Sequence, residues 1–212
     1  MADEIVFYTN PQSRGRMVRW MLEEIGQPYR TELLDYATTM KAPPYLAINP
    51  MGKVPALRHG DAVVTEVSAI CTYLADAFPE AGLAPPPDSK LRAPYYRWLY
   101  FAAGPLEAAG SNKAMGFVIP PGRERMMGYG TFELTMNTLE NAVSQADYLV
   151  GNKFSAADVY VGCQIGFGMQ FGMYEKRPGF EAYWGRLSAR SAWARATKLD
   201  DEAKAQMVPP VA

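Results

Sequence analysis

Residues Asn49–Leu57 read NPMGKVPAL. Asn49, Pro50 and Gly52 are turn formers, and Ala56 and Leu57 open an apolar run. Pro55 stands directly ahead of that run. Proline has no backbone N–H to give to a sheet ladder, so it belongs at an edge or at the entry of a strand. The stretch predicts a strand whose entry leaves backbone groups unpaired, and it raises the question of what uses them.

The flanking sequence supplies the rest of a sheet. Val54–Arg58 (VPALR) and Ala62–Thr65 (AVVT) are joined by the turn HGD, in which Gly60 supplies the positive φ a tight hairpin needs. A helix follows at once over Glu66–Phe78. Upstream, Glu4–Tyr8 (EIVFY) reads as a short buried strand and TNPQS as a loop. From Ser13 a helix places Met17, Met21 and Ile25 on one face, with Val18 and Leu22 beside them, and Gly26 ends it. Tyr29, Thr31 and Leu33 alternate as a strand does. The order β-α-β, then β-β-α, predicts a mixed four-stranded sheet.

Pro79–Lys90 (PEAGLAPPPDSK) is proline-rich and aperiodic, which marks a linker. Beyond it no strand is evident. Helical patterns cover Leu91–Ala109, Gly122–Gln145, Ser155–Met173 and Gly179–Thr197. The predicted organisation is a mixed α/β domain over 1–80, a linker over 81–90 and an all-α domain over 91–212.

Composition excludes several classes. The 212 residues carry a formal net charge of -1, and 49% of them are apolar. Nothing in the charge balance points to nucleic acid or to an anionic membrane surface. The acidic start MADEIVFYTN does not read as a secretory signal, and no apolar run is long enough to span a bilayer. The two cysteines, Cys71 and Cys163, form no CxxC pair, so a reducing cytoplasm is expected. With His59 the only histidine, neither a histidine-rich metal site nor a Ser-His-Asp triad is expected.

Four motifs in this order resemble the cytosolic glutathione S-transferase family: YTNPQSRGRMVRWMLEE from Tyr8, NPMGKVPAL from Asn49, TEVSAICTYLAD from Thr65 and FSAADVYVG from Phe154. The resemblance spans nearly the whole chain. It implies a thioredoxin-like N-terminal domain, a helical C-terminal domain, a cytoplasmic homodimer and glutathione as co-substrate, with no metal. It also answers the question of the unpaired backbone. Val54 is implied to hold the cysteinyl part of glutathione through its N–H and C=O, beside a cis Pro55. A peptide-like ligand then pairs there as a short added strand. Glu66 is implied to meet the ligand's ammonium, and the Val67 N–H its γ-glutamyl carboxylate at a helix N-terminus. Val67 departs from the family, which often has a hydroxyl residue at that position; Ser68 comes one place late. Lys53, or else Lys41, is the expected partner of the glycyl carboxylate.

The chemistry implied is conjugation of the glutathione thiolate to a small hydrophobic electrophile, as in detoxification. The thiolate is the nucleophile, and one or two hydrogen bonds to it suffice to populate it near neutral pH. Ser13, close to the start of the first helix, is the foremost candidate donor. Tyr8, at the strand end, is the second; Asn10 and backbone N–H groups remain open. Arg14 occupies the place of the cysteine in the bacterial cysteine-type branch, so a serine-type or unclassified branch fits better. The second substrate is implied to lie between the domains, near Tyr95, Tyr96, Trp98, Tyr100, Met115 and Phe117, most of which also suit core or dimer packing. Ser155 and Asp158 have capping-box spacing, with Phe154 and Val159 placed as a staple, and a structural role worth about 1 kcal/mol is expected there. Two other functions stay in view: a glutathione-dependent disulfide or peroxide reductase, and a non-catalytic transferase-like interaction protein.

Overall fold

The computed structural model describes residues 3–207. They form two compact units, one of residues up to Ala81 together with those from Arg190 on, the other Gly82–Ala189.

In the first unit, β1 (Ile5–Thr9), β2 (Arg30–Leu33), β3 (Ala56–His59) and β4 (Ala62–Thr65) make a sheet in the order β2-β1-β3-β4. β1 runs parallel to β2 and antiparallel to β3, and β3 pairs antiparallel with β4. The crossover from β1 to β2 is α1 (Gly15–Ile25), which Gly26 ends in the left-handed conformation, its N–H bonded to the Leu22 carbonyl. Side chains alternate across the sheet. Phe7 lies on the face covered by α1, where the Arg19 guanidinium stacks over its ring at 5.2 Å. Tyr8 lies on the other face, packed with Leu34, Met40, Tyr45 and Ala56 beneath the short helix α2 (Pro43–Leu46). Gly60, at φ 56, makes the β3–β4 turn, and α3 (Val67–Ala77) follows β4 directly.

The last helix, α9 (Ser191–Gln206), groups with this first unit, whereas the sequence reading carried the helical domain to residue 212. The reason is a ladder of charges that only the folded chain aligns. Arg16 meets Asp201, Arg19 meets Asp200, Glu23 meets Arg195, and Glu24 takes both Nε and Nη2 of Arg190 at 2.7 and 2.8 Å. Trp20 and Trp193 pack edge to face among these pairs. Arg19 and Asp200 are both buried, so removing either one alone leaves an uncompensated charge, at a cost of about 3–5 kcal/mol.

The second unit is helical: α4 (Arg92–Phe101), a π-helical segment Ala102–Leu106, α5 (Glu107–Ala114), α6 (Phe132–Gln145), α7 (Ala156–Gln170) and α8 (Pro178–Ser188). Pro105 lies inside the widened π segment, where its missing N–H breaks the regular ladder. The helix expected from Gly122 starts only at Phe132, capped by the Thr131 hydroxyl. Gly122 and Gly130 have positive φ, and the stretch between them is not continuous helix. α7 is buried along nearly its whole length, and Gly162 and Gly166 admit Leu187 and Trp184 of α8 where a Cβ would clash at 2.4 and 2.5 Å. Of the aromatic and Met residues expected near a second substrate, Tyr95 and Trp98 are buried, while Tyr96, Tyr100, Met115 and Phe117 are exposed.

The capping box at Asp158 is larger than expected. Oδ2 accepts from the Ser155 N–H and hydroxyl, each at 2.9 Å, and Oδ1 accepts from the Leu149 N–H at 2.8 Å and the Tyr183 hydroxyl at 2.7 Å. The side chain is fully buried, so it joins three segments rather than ending one helix.

Candidate functional site

The sheet's topology brings the candidate residues to one end. Because β3 runs antiparallel to β1 and β4, the end of β1, the start of β3 and the end of β4 coincide; Tyr8 pairs with Ala56, and Ala56 with Thr65. The start of α1, the Val54–Pro55 pair and the start of α3 therefore share that edge.

The loop after β1 is organised by Asn10, buried at 2% exposure. Its Oδ1 accepts the Gln12 N–H, its Nδ2 donates to the Leu34 carbonyl, and its own carbonyl accepts both the N–H and the hydroxyl of Ser13, at 3.0 and 2.7 Å. Asn10 is thus committed to holding the loop. The Ser13 Oγ also accepts the N–H of Gly15, the first residue of α1, at 2.9 Å. That close approach needs glycine, since a Cβ on Gly15 would stand 1.9 Å from the Thr9 Oγ1. Ser13 therefore sits just before the start of α1, where the helix dipole favours an anion.

Tyr8 is half-buried, its ring tilted against Tyr45 at 5.7 Å, and its hydroxyl has no hydrogen-bond partner among the described residues. Tyr36 is a residue that sequence reasoning missed. It follows β2 in a loop with no periodic signal, and its hydroxyl donates to the Gln12 carbonyl at 3.2 Å. Burial raises its pKa, and the neighbouring Ser13 hydroxyl and Arg14 charge oppose that shift.

The turn before Pro55 is held by its carbonyls. Lys53 O accepts from the Tyr45 hydroxyl at 2.5 Å and from Asn49 Nδ2 at 2.8 Å. Burial pushes the Tyr45 phenol up to about 12, so it remains a donor. The Val54–Pro55 peptide bond is cis. Neither the N–H nor the C=O of Val54 has a hydrogen-bond partner among the described residues. The two lysines separate here: Lys41 Nζ is bonded to the Gly52 carbonyl at 2.5 Å, whereas the exposed Lys53 side chain makes no such bond among the described residues.

Glu66 is the one non-glycine residue of positive φ among the described residues, at φ 67 and ψ 124. Such a conformation costs of order 1–3 kcal/mol and persists where surrounding structure enforces it, often at ligand clamps. Here β4 and α3 grip it from both sides, its carbonyl accepting the Ile70 N–H at 2.9 Å. α3 starts without a side-chain cap, so the first-turn N–H groups at Val67 and Ser68 stay open to an anion.

The second unit holds a pocket of about 370 Å³, walled by Phe117, Val118, Ile119, Tyr129 and Phe132, with Lys113 beside it. Among the described residues there is no cluster of three or more metal-ligating side chains, and no helix is long and apolar enough to cross a membrane.

Comparison with known proteins agrees with this geometry. Residues 13–77 match the family described as glutathione S-transferase, N-terminal domain, and residues 133–191 match glutathione S-transferase, C-terminal domain. The probable glutathione S-transferase GSTF2 of Oryza sativa subsp. japonica is 30% identical, over 84% of this chain and 88% of its own. Glutathione S-transferase hmp2 of Hypomyces subiculosus is 28% identical, over 91% and 97%. Among solved structures, the glutathione transferase URE2P6 of Phanerochaete chrysosporium, in complex with oxidized glutathione, matches with a TM-score of 0.77 and 25% identity, over 94% of this chain and 97% of that one. The chain belongs to the glutathione S-transferase family. It has that family's fold and is a glutathione transferase enzyme.

Proposed function

We propose that the protein conjugates reduced glutathione to an apolar electrophile through a thiolate held by the Ser13 hydroxyl. The observation that carries this reading is the open backbone pair of Val54, at the same sheet end as Ser13 and the uncapped start of α3. The cysteinyl unit pairs with Val54. The γ-glutamyl carboxylate takes the N–H groups at Val67 and Ser68, and Glu66 takes the ammonium. Lys53 takes the glycyl carboxylate, since Lys41 is tied to Gly52.

The Ser13 hydroxyl points to Asn10, yet only its hydrogen has to turn. Oγ keeps the Gly15 N–H, and the Asn10 carbonyl keeps the Ser13 N–H. The thiol proton leaves to solvent, sulfur forms the new C–S bond, and the leaving group departs with the bonding pair. A homodimer in the cytoplasm completes the reading; exposed Met51 and Tyr100 are surface such an assembly could cover, and two buried free cysteines suit a reducing compartment.

The test is retention on a glutathione resin, followed by turnover of a chlorinated nitroaromatic and of a mixed disulfide. Conjugation of the nitroaromatic is expected. Turnover of the disulfide alone favours the reductase, retention without turnover favours an interaction protein, and failure to bind overturns the assignment of Val54 and Glu66.

A further inference from the structure

We propose that Asp201 of α9 is a positioning residue for the thiolate-binding loop, acting through Arg16. The inference rests on the reading that this loop supplies the hydrogen bond to sulfur.

The loop's other polar backbone groups are held from nearby. Asn10 side-chain and carbonyl oxygens take the Gln12 and Ser13 N–H groups, and Tyr36 holds the Gln12 carbonyl. The Pro11 carbonyl is the exception. It accepts from Arg16 Nε at 2.6 Å, while Nη2 of the same guanidinium donates to Asp201 Oδ1 at 2.5 Å. A guanidinium is planar and rigid, so anchoring one nitrogen on α9 fixes the direction of the other. A second thread runs the same way, from Asn10 Nδ2 to the Met207 sulfur at 3.9 Å.

Asp201 is not needed to hold α9 in place. The pairs at Asp200, Arg195 and Arg190 and the Trp20–Trp193 contact do that. Its own side chain is 60% exposed, and so exposed an ion pair adds little to stability. What the pair does is aim Arg16 at the carbonyl that precedes Gln12 and Ser13.

The sign of the effect separates positioning from charge. Removing a carboxylate near a bound thiolate should, on Coulombic grounds, lower the thiol pKa. Positioning predicts the opposite. Asp201→Ala is expected to raise the pKa of enzyme-bound glutathione by about half a unit, which lowers the thiolate fraction and kcat about threefold below that pKa. The KM for glutathione and the melting temperature should stay close to wild type. Asp201→Asn keeps an acceptor oxygen and should restore the wild-type pKa or go below it. Arg195→Ala, which cuts an α9 pair away from the loop, is the structural control and should leave the pKa in place. An unchanged or lowered pKa in Asp201→Ala overturns the inference, as does an equal rise in Arg195→Ala. Ser13→Ala, measured alongside, tests the underlying reading separately: if it raises the pKa and Asp201→Ala does not, only the positioning role fails.

Discussion

Replacing Ser13 by alanine removes one hydroxyl from the start of α1. In the proposed complex that hydroxyl donates to the glutathione thiolate. A hydrogen bond to a charged group contributes roughly 1.5–3 kcal/mol, and a neutral one roughly 0.5–1.5. The structure shows that the Ser13 hydroxyl must give up its bond to the Asn10 carbonyl to make the new one. The difference is about 1–1.5 kcal/mol, and about 1.36 kcal/mol corresponds to one pKa unit. Ser13→Ala should therefore raise the pKa of bound glutathione by about one unit, toward the free thiol's value of about 8.5. The assay is thiolate absorbance of the binary complex against pH. Turnover near pH 6.5 should fall about tenfold, while glutathione affinity changes less, since Val54, Glu66 and Lys53 hold the rest of the tripeptide. Tyr8→Phe and Tyr36→Phe are the matched controls, each losing only a hydroxyl. If Ser13→Ala leaves the thiol pKa in place and either tyrosine variant raises it, the donor is that tyrosine. If none moves it, the sulfur is met by backbone N–H groups and the role given to Ser13 is wrong.

Three further outcomes are expected. Asp158→Ala leaves the Leu149 N–H and the Tyr183 hydroxyl buried without an acceptor, so it should cost about 4 kcal/mol in urea unfolding, against about 1 for Ser155→Ala; equal small losses would reduce Asp158 to an ordinary cap. Burial pushes the Cys71 thiol up to about 12, so Ellman's reagent should meet it only after denaturation. Because the folded pKa lies above the unfolded value of about 8.5, Cys71 binds its proton longer in the folded state, and stability should fall as pH rises from about 8.5 towards 12. At pH 10 the loss is about 2 kcal/mol, and a Cys71→Ala enzyme should lack it. Lys53→Ala should raise the KM for glutathione several-fold with kcat little changed; a larger effect from Lys41→Ala would reverse the two assignments.

The sequence by itself determined the elements whose signals are local. Pro55 at a strand entry, Gly60 in a tight hairpin turn and Gly26 after the Met17–Met21–Ile25 stripe each state their own conformation through missing atoms or periodicity. The four motifs were local too, which is why the family could be read from the sequence alone. Other features depended on partners far along the chain. The pattern over Gly179–Thr197 read as a single helix of the second domain, but the chain breaks it into α8 and α9, and Arg190, Arg195, Asp200 and Asp201 find their opposite charges on α1, more than 160 positions earlier. No window of sequence contains both halves of that ladder. Asp158 carried the pattern of a helix cap, and only packing showed that Leu149 and Tyr183 also converge on its carboxylate. Tyr36 carried no pattern at all: its loop gains meaning from the Gln12 carbonyl it covers. Backbone conformation is set by neighbours in sequence, whereas the direction of a side-chain hydrogen bond is set by neighbours in space, and the loop around Ser13 needs both: Asn10 and Gly15 hold it locally, Leu34 and Tyr36 from more than twenty positions away.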